Sequence, residues 1–349
     1  MTRRCISLLC ASSIILTIAF GARASGQSSA TDSIIKVTRA WPVMGTMFVA
    51  TVWARDTAAA LNGIVAARDS VRLIDSLLST YRPESEASRV NARAGGDPAR
   101  VSPQTLHVLL LSRTYWSLSG GLFDPTVGPL VRAWGFNGDS GRVPARAVLD
   151  SLRRLVGFDR VEIDSAASTV RLGVPGMSLD FGGIAKGYAL DLARAALRDS
   201  TVRGGMLDLG GNVLVFGRSP TGRKWNIGIA HPRRDGRVIG VLSLDSGAVA
   251  TSGDYEHFVR IDGKRYGHLL DPHTGYPRRG VLSATAIGPR GEMSDGLSAV
   301  YFLVGPARGS QLADSLPGAS GVWVLDNAQP HIARRDIVRS ARARKQFAY

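Results

Sequence analysis

Apolar residues along the chain recur at two different spacings, and each spacing predicts a different kind of element. In residues 57–78 and 105–118 they recur three and four positions apart, which is typical of helices that bury one face. The apolar face of the first of these helices consists of Ile64, Val65, Val71, Ile74, Leu77 and Leu78. Residues 294–304 show the same spacing. The pattern therefore predicts two helices early in the chain and one near its end.

Alternation of apolar and polar residues in shorter segments predicts strands. Residues 161–172 indicate a hairpin, and Asp262-Gly263, a dipeptide that favours a tight turn, separates 258–261 from 266–270 in a second one. The other predicted strands cover 46–52, 206–216, 225–230, 238–244, 248–251, 283–287 and 322–325. Loops are predicted over 79–91 and 120–129. Because strands cluster in the second half and helices in the first, we predict an α+β fold with antiparallel sheets and flanking helices, in one compact domain.

The stretch LDFGGIAKGYALD at 179–191 changes from one spacing to the other. Leu179 and Phe181 predict the end of a strand, and the residues after Gly183 have helical spacing. Gly182 and Gly183 would then lie at a helix N-terminus, where free N–H groups favour an anion. A lysine in the first turn, Lys186, opposes the helix dipole and should have a compensating use. The alternative is a tight turn with a solvated lysine.

The first residues are typical of a secretory signal. Arg3 and Arg4 precede a short apolar run at 6–20, and Ala22-Arg23-Ala24 follows as a cleavage site. We therefore expect an exported, periplasmic protein cleaved after Ala24, with a flexible leader over 25–39, a catalytic domain over 40–330 and a basic C-terminal tail over 331–349. The two cysteines, Cys5 and Cys10, both lie in the signal. Disulfides, thiolate metal sites and cysteine nucleophiles are thereby excluded from the mature chain.

Charge adds less to this picture than the pattern does. The formal net charge of +15 favours anionic partners, but the basic residues are dispersed except in the tail. That tail lacks interleaved aromatic residues, so we expect no nucleic-acid partner. The signal is too short to be a comfortable membrane span and no other stretch approaches that length, so we expect a soluble mature protein without stable membrane insertion.

Several stretches rich in glycine and carboxylates fall at the ends of predicted elements. Each alone is typical of a turn, but together a glycine-lined anion site, a lysine and several carboxylates favour a metal-bound phosphate. The stretches are MGT at 44–46, STYRPESEASRVN at 79–91, GLFDPTVGPLVRAWGF at 121–136, LDFGGIAKGYALD at 179–191, DLGGNVLVFG at 208–217, ATSGDYEHF at 250–258, RYGHLLDPHTGYP at 265–277 and SDGLSAVYFLVG at 294–305. In this order they resemble the motifs of the ApbE family of FAD:protein FMN transferases, over residues 40–306.

This resemblance implies a fold and a reaction. The fold would be the ApbE-like, T-fold-related catalytic domain. The enzyme would bind FAD and Mg²⁺, transfer the FMN moiety to a Thr or Ser hydroxyl of a target flavoprotein, and release AMP. The acceptor would belong to a membrane redox complex or be a similar exported flavoprotein. Such a phosphoryl transfer requires charge neutralisation, in-line placement of the attacking hydroxyl and a group that takes its proton.

The resemblance also assigns roles to individual residues. It implies that FAD is held by Met44, Tyr81, Leu122, Phe123, Asp124, Asp180, Lys186 and His268. The metal would be bound by the Gly183 carbonyl and by Asp295, which is a catalytic residue together with His268, the implied proton acceptor. Position 299 completes the metal site in the family, commonly with Thr; this chain has Ala299, so a water or a backbone oxygen is expected there.

Other interpretations of the same residues remain open at this stage. His257 and His273 are rivals of His268, whereas His107 and His231 are predicted to be structural. Water could attack in place of a protein hydroxyl, which would make the chain an FAD pyrophosphatase that produces FMN and AMP. Ala299 favours a third interpretation, a periplasmic FAD-binding protein whose catalysis has weakened. Retention of Lys186, His268 and Asp295 argues against it.

Overall fold

A computed structural model describes residues 34–136, 141–197, 201–327, 332 and 336–349. The predicted signal and most of the predicted leader lie outside these ranges. The helices are α1 Thr57–Leu78, α2 Glu86–Ala92, α3 Pro103–Leu118, α4 Gly128–Trp134, α5 Arg146–Arg153, α6 Ala185–Ala196 and α7 Gly291–Ser315. The strands are β1 Ile35–Val43, β2 Thr46–Ala54, β3 Ala99–Arg100, β4 Val161–Asp164, β5 Thr169–Leu172, β6 Val202–Leu209, β7 Asn212–Gly217, β8 Trp225–Ala230, β9 Val238–Leu244, β10 Gly247–Gly253, β11 Phe258–Ile261, β12 Lys264–Gly267, β13 Val281–Gly288, β14 Ser320–Leu325, β15 Ile337–Arg339 and β16 Phe347–Ala348.

An antiparallel sheet in the order β1-β2-β6-β7-β10-β13-β14-β15 forms the middle layer of the fold. Because side chains alternate along a strand, each strand contributes to two cores. On β7, Leu214 and Phe216 pack in the large core with α1, α6 and α7, while Val213 and Val215 pack against the small sheet β16-β9-β8. The predicted α+β fold with antiparallel sheets and flanking helices is confirmed.

The helices α6 and α7 touch backbone to backbone. A Cβ atom added at Gly187 would lie 2.1 Å from the Gly291 carbonyl oxygen and 2.5 Å from the Cβ of Asp295, so only glycine fits there. Asp191 holds the same crossing together, since its Oδ1 and Oδ2 accept hydrogen bonds from the Gly291 and Glu292 N–H groups at 2.7 Å and 2.9 Å. The start of α7 is therefore fixed against the start of α6.

One edge of the large sheet collects the sequence motifs. Antiparallel neighbours alternate in direction, so the β1–β2 turn at Met44-Gly45, the β6–β7 turn at Gly210-Gly211 and the end of β10 all lie at this edge. Met44, Gly45, Gly210 and Gly211 have positive φ angles between 51° and 88°, as tight turns of this kind require. Segments far apart in sequence are thereby brought together.

The predicted elements with strong periodicity are confirmed, and the weaker ones need correction. Helix α1 and the hairpin β4–β5 lie where the pattern puts them. The loop predicted over 79–91 contains α2, a short helix capped by the Ser85 side chain, which accepts from Ser88 N–H. The loop predicted over 120–129 gives way to α4 at Gly128. Leu179 to Phe181 is not a strand, and the strand predicted over 206–216 breaks at Gly210-Gly211.

The structure also corrects both ends of the predicted catalytic domain. Residues 35–39, assigned to the flexible leader, belong to β1 and pair with β2. The predicted basic tail contains β15, which pairs with β14, and β16, which pairs with β9. Arginines of this segment are thus part of the folded surface. Within the described ranges, no helix is long and apolar enough to span a membrane.

Candidate active site

Lys186 lies in the first turn of α6, at the edge where the motifs meet. Its ammonium group interacts electrostatically with five titratable groups from other segments: Asp208, Glu256, His257, His268 and Asp295. A cation at a helix N-terminus opposes the dipole, and here neighbouring carboxylates compensate for it. The structure therefore joins Lys186, His268 and Asp295 in one cluster, as the sequence predicts.

Asp295 is the buried acid of this cluster. It lies near the start of α7, only 4% exposed, and its Oδ2 accepts a hydrogen bond from the Gly187 N–H at 2.8 Å. Burial raises the pKa of this carboxyl, while Lys186 and the Gly187 N–H lower it. The Asn212 amide beside it also favours the ionised form, although its buried Nδ2 makes no hydrogen bond to a described residue. A buried carboxylate of this kind is stabilised by a bound cation.

The surroundings of Asp295 fit a magnesium site. Gly183 lies against α7: a Cβ atom added there would be 3.2 Å from the Phe123 ring and 3.6 Å from the Cβ of Ala299. In the described part of the chain, no group of three or more His, Cys, Asp or Glu side chains could hold a metal ion. Mg²⁺ does not need such a group, because it is usually bound by one or two carboxylates together with water and substrate phosphates. Asp295 is therefore the carboxylate that would hold such an ion, with the backbone of Gly183 beside the same helix.

His268 is held as a neutral imidazole. Its Nδ1–H donates to the His257 carbonyl at 3.1 Å, and its backbone N–H donates to the same oxygen at 3.0 Å. Since a carbonyl only accepts, Nδ1 carries the hydrogen and Nε2 keeps its lone pair. Burial lowers the pKa of His268 to about 3, and the charges of His257 and Lys186 contribute in the same direction. The ring is therefore neutral and keeps a lone pair at Nε2, but with this pKa it is a weak base in the free protein.

The comparisons with known proteins decide the family. The profile of the ApbE family matches residues 44–323. The chain belongs to the ApbE family. A FAD:protein FMN transferase of Klebsiella pneumoniae is 33% identical over 80% of this chain and 84% of its own length. One of Treponema pallidum is 32% identical over 82% and 84%, respectively. The chain is therefore an enzyme of the transferase class.

Solved ApbE structures have the same fold. The ApbE protein of Thermotoga maritima superposes with a TM-score of 0.81 at 32% identity, covering 90% of this chain and all of that one. The flavin transferase ApbE of Vibrio cholerae gives a TM-score of 0.77 at 28% identity, with the same coverage of both chains. The fold prediction is thus confirmed by relatives as well as by the architecture.

The residues that an ApbE protein is expected to use for FAD lie on several separate segments. Met44 lies in the β1–β2 turn, and Tyr81 lies just after α1 with 69% of its surface exposed. Asp180 lies between the 121–125 loop and α6: its N–H donates to the Pro125 carbonyl and its Oδ1 accepts from Gly182 N–H at 2.8 Å. Burial raises the pKa of Asp180, whereas the Gly182 N–H and Arg132 lower it. Its carboxylate therefore shapes the turn that carries Gly183.

The side chains of the ApbE motif GLFDP are mostly buried in the protein, so few of them are exposed for contact with a ligand. Phe123 is 7% exposed and packs edge-on against Tyr115, with Leu122 partly buried beside the same core. Asp124 Oδ1 accepts from the Thr126 N–H and hydroxyl, and its Oδ2 accepts from Phe158 N–H. Both of its carboxylate oxygens are thus engaged in hydrogen bonds within the protein. A cavity of about 290 Å³ lies beside this residue, next to Trp116 and His273.

The other histidines have separate places. His257 contributes its carbonyl to His268, and the two rings are 5.3 Å apart at 88°. His273 borders the cavity beside Gly121. His107 binds Glu292 at 2.7 Å, and the Nδ1 atom of His231 accepts from Arg233 N–H at 3.1 Å. The last two are thus in structural contacts, as predicted.

Sequence reasoning missed several residues that build the site. Three of them are near Asp295 or the start of its helix: Gly187, whose N–H binds it, Asp191, which binds the Gly291 N–H, and Asn212, whose amide lies beside it. Gly187 and Asp191 are about a hundred residues away from Asp295 in sequence, and Asn212 belongs to a different motif. The only signal for Gly187 and Asp191 is that both belong to the same stretch as Lys186. Asn212 follows a glycine pair at the start of a strand, which indicates a turn and gives no indication of the carboxylate it faces.

Ala299 departs from the Thr that ApbE proteins commonly have, and Ser298 does not replace it. The Ser298 hydroxyl donates to the Asp295 carbonyl at 2.8 Å and bonds the Ser252 hydroxyl at 2.9 Å, so it is engaged away from the carboxylate. Ala299 itself is 2% exposed and lies one helical turn after Asp295, facing Gly183. A side chain added here would reach the proposed metal site.

We expect Ala299→Thr to lower the Mg²⁺ concentration needed for half-maximal binding, because its hydroxyl adds an oxygen ligand. Ala299→Val is the matched control, since it adds the same volume without the oxygen, and overpacking would cost both variants about 1–3 kcal/mol of stability. Calorimetric Mg²⁺ titrations with FAD present, together with thermal melts, separate the two effects. Equal Mg²⁺ affinity in both folded variants would show that position 299 supplies no ligand and that other oxygen atoms complete the coordination shell of the metal.

Proposed function

We propose that this enzyme transfers the FMN moiety of FAD to a Thr or Ser hydroxyl of an acceptor flavoprotein and releases AMP, with Mg²⁺ bound at Asp295. The observation that supports it most is the cluster of Lys186, the buried Asp295 and the neutral His268. A cation, a metal-binding carboxylate and a base in one place are what phosphoryl transfer to a hydroxyl requires. The names of the relatives support the same reaction.

In this proposal, the ammonium group of Lys186 binds the FAD pyrophosphate, because the Ala185 and Gly187 N–H groups at the start of α6 already donate to the Phe181 carbonyl and to Asp295 Oδ2. When bound, Mg²⁺ neutralises charge that develops on the phosphate oxygens. The hydroxyl oxygen of the acceptor forms a bond to the FMN phosphorus, the bond from that phosphorus to the bridging oxygen breaks, and AMP leaves. His268 Nε2 takes the hydroxyl proton while the His257 carbonyl holds the Nδ1–H. Burial is the main reason that His268 is a weak base in the free protein, and an anionic pyrophosphate beside Lys186 would offset only the contribution of that lysine.

The experiment combines the mature protein, FAD and Mg²⁺ with exported flavoprotein domains as candidate acceptors. We expect a flavin-fluorescent acceptor band that survives denaturation, with AMP released in equal amount. FMN and AMP without a labelled acceptor would identify an FAD pyrophosphatase. FAD binding without either product would favour the third interpretation, an FAD-binding protein whose catalysis has weakened, which Ala299 supports.

We further propose that the protein acts outside the cytoplasm, possessing a signal that is removed after Ala24. The support is the order of basic residues, apolar run and Ala22-Arg23-Ala24 site at the N-terminus. We expect mass spectrometry of the native protein to find a chain that begins at Ser25 in the exported fraction. An intact Met1, or an acylated Cys10, would contradict this.

A further inference from the structure

The turn between β10 and β11 supplies the carbonyl that holds the proposed base. It comprises residues 254–257, and we call it the histidine turn. The carbonyl oxygen of its last residue, His257, accepts from the backbone N–H and from the Nδ1–H of His268, at 3.0 Å and 3.1 Å. The position of this oxygen determines how the His268 ring is oriented, so an interaction that fixes the histidine turn also fixes Nε2.

The first residue of the histidine turn, Asp254, packs against the residue that precedes His268. A Cβ atom added at Gly267 would lie 3.1 Å from the Cα atom and 3.4 Å from the Cβ atom of Asp254, so the two segments are in close contact. The Asp254 N–H donates to the Leu282 carbonyl at 3.0 Å, which continues the pairing of β10 with β13 by one residue. Both ends of the turn are therefore in contact with the segment that carries His268.

An arginine beside the small sheet holds this aspartate. Arg233 lies in the loop 231–237 between β8 and β9, and its Nη1 and Nη2 atoms donate to Asp254 Oδ1 and Oδ2 at 2.7 Å and 2.6 Å. The side chains of Arg233 and Asp254 are 31% and 18% exposed, so the pair is partly shielded from water. Two parallel hydrogen bonds between a guanidinium and a carboxylate fix orientation as well as distance. The pair therefore restrains the carboxylate end of Asp254 in direction and in position.

The loop that presents Arg233 is itself held by hydrogen bonds. The His231 N–H donates to the Arg237 carbonyl at 2.7 Å, and His231 Nδ1 accepts from the Arg233 N–H at 3.1 Å. Arg233 Nη1 also donates to the Pro232 carbonyl at 3.0 Å. The strands on either side of the loop pack against the large sheet through a shared apolar core. The guanidinium is thus attached to a well-packed part of the fold.

We propose that Arg233 is a positioning residue for His268. Its pair with Asp254 fixes the histidine turn, and the His257 carbonyl at the end of that turn then holds the His268 ring with Nε2 open to the acceptor hydroxyl. This inference rests on the proposed function, in which Nε2 takes the hydroxyl proton. The residues implied to bind FAD or the metal belong to other elements, so the contact gives the small sheet a part in the reaction.

The test compares the wild type with Arg233→Ala by two measurements on the full mature protein. NMR of isotopically labelled histidine, without FAD or acceptor, shows which ring nitrogen of His268 carries the hydrogen; the signals missing from His268→Asn identify this ring. We expect the hydrogen on Nδ1 in the wild type and a mixture of both tautomers in Arg233→Ala. In flavin transfer we expect kcat to fall by about 10- to 100-fold while the KM for FAD changes by less than about twofold, because a displaced base slows only the proton transfer.

Asp254→Asn should reproduce both effects. The variant that combines Asp254→Asn with Arg233→Ala should be no slower than either single variant, because residues that act as one unit are not additive. If Arg233→Ala melts early, Arg233→Lys replaces it, since it keeps the charge and loses the two-point contact. It should shift the tautomer and kcat in the same direction by a smaller amount.

The matched control is Lys224→Ala, which removes a cation from the other end of the same two strands. Lys224 pairs with Asp245 at 3.0 Å, just before β8 and just after β9, and its loss should leave the tautomer and kcat unchanged. A single Nδ1–H tautomer in folded Arg233→Ala overturns the proposal, and so does a tautomer mixture that transfers flavin at the wild-type kcat. Failure of the proposed function would appear separately, as absent transfer in the wild type, and the tautomer measurement would still decide whether Arg233 positions the ring.

Discussion

We expect the replacement of Asp295 by Asn to abolish flavin transfer while FAD still binds. Asn keeps the shape of the side chain and an oxygen that accepts from the Gly187 N–H, but it lacks the charge that would hold a divalent cation. Loss of the metal removes several kcal/mol of stabilisation from the charge that develops on the phosphates, so we expect the rate to fall by about 10³-fold or more. FAD binding decreases less, because contacts to its rings do not depend on the metal.

Asp208→Asn is the matched control for this variant. Asp208 also lies beside Lys186, but its Oδ1 accepts from the Gly211 N–H in the β6–β7 turn and no metal role is proposed for it. Transfer rates, flavin fluorescence on FAD binding and Mg²⁺ titrations should be measured for both. Asp295→Asn that transfers flavin at the wild-type rate with Mg²⁺ present would remove Asp295 from the metal site.

The second large effect is expected for His268→Asn. The Asn side chain can still donate to the His257 carbonyl in place of Nδ1, but it offers no base at the position of Nε2. General base catalysis contributes about 10²–10⁴-fold, and we expect kcat to fall by that factor with little change in FAD affinity. His257→Gln is the control, because its backbone carbonyl remains; a loss as large as that of His268→Asn would make His257 the base instead.

The same variant has a predictable effect on acid stability. The folded protein holds His268 neutral with a pKa of about 3, whereas the unfolded chain titrates near 6.5, so the unfolded state binds more protons between these values. Stability from this group is therefore fully present above about pH 6.5 and is lost as the pH falls towards 3. Between about pH 7.5 and pH 4.5 we therefore expect the wild type to lose about 2–3 kcal/mol more stability than His268→Asn, and chemical denaturation of both proteins at both pH values would measure this difference.

The sequence predicts elements well where the pattern is long and poorly where structure depends on a distant partner. Helix α1 has 22 residues with a regular apolar face, and its predicted bounds agree with the structure. Helix α2 has seven residues and depends on the Ser85 cap, which periodicity does not detect. The sequence places residues 35–39, the first part of β1, in the leader, because these residues are ordered by their pairing with β2.

The features of the site likewise divide into those that the sequence predicts and those that only the structure shows. Lys186, His268 and Asp295 follow from motif resemblance, and the structure brings them into one electrostatic cluster. The resemblance does not reveal that the Asp124 carboxylate accepts hydrogen bonds from Thr126 in its own loop and from the distant Phe158 N–H. Nor does a sequence show that Asn212 faces Asp295, because that proximity exists only when the β6–β7 turn and α7 are packed against the same sheet edge.

The backbone contact between α6 and α7 has a consequence for how the enzyme matures. The Gly187 N–H and the Asp295 carboxylate that it binds are 108 residues apart, so the pair forms only after a long loop has closed. Contacts of such sequence separation are slow to form. A nascent chain that ends before Gly291 therefore lacks Asp295, the acid that binds the Gly187 N–H. Partly folded chains should therefore bind neither Mg²⁺ nor FAD productively. Both ligands would bind only the folded protein, and their binding would therefore increase the folded fraction by mass action.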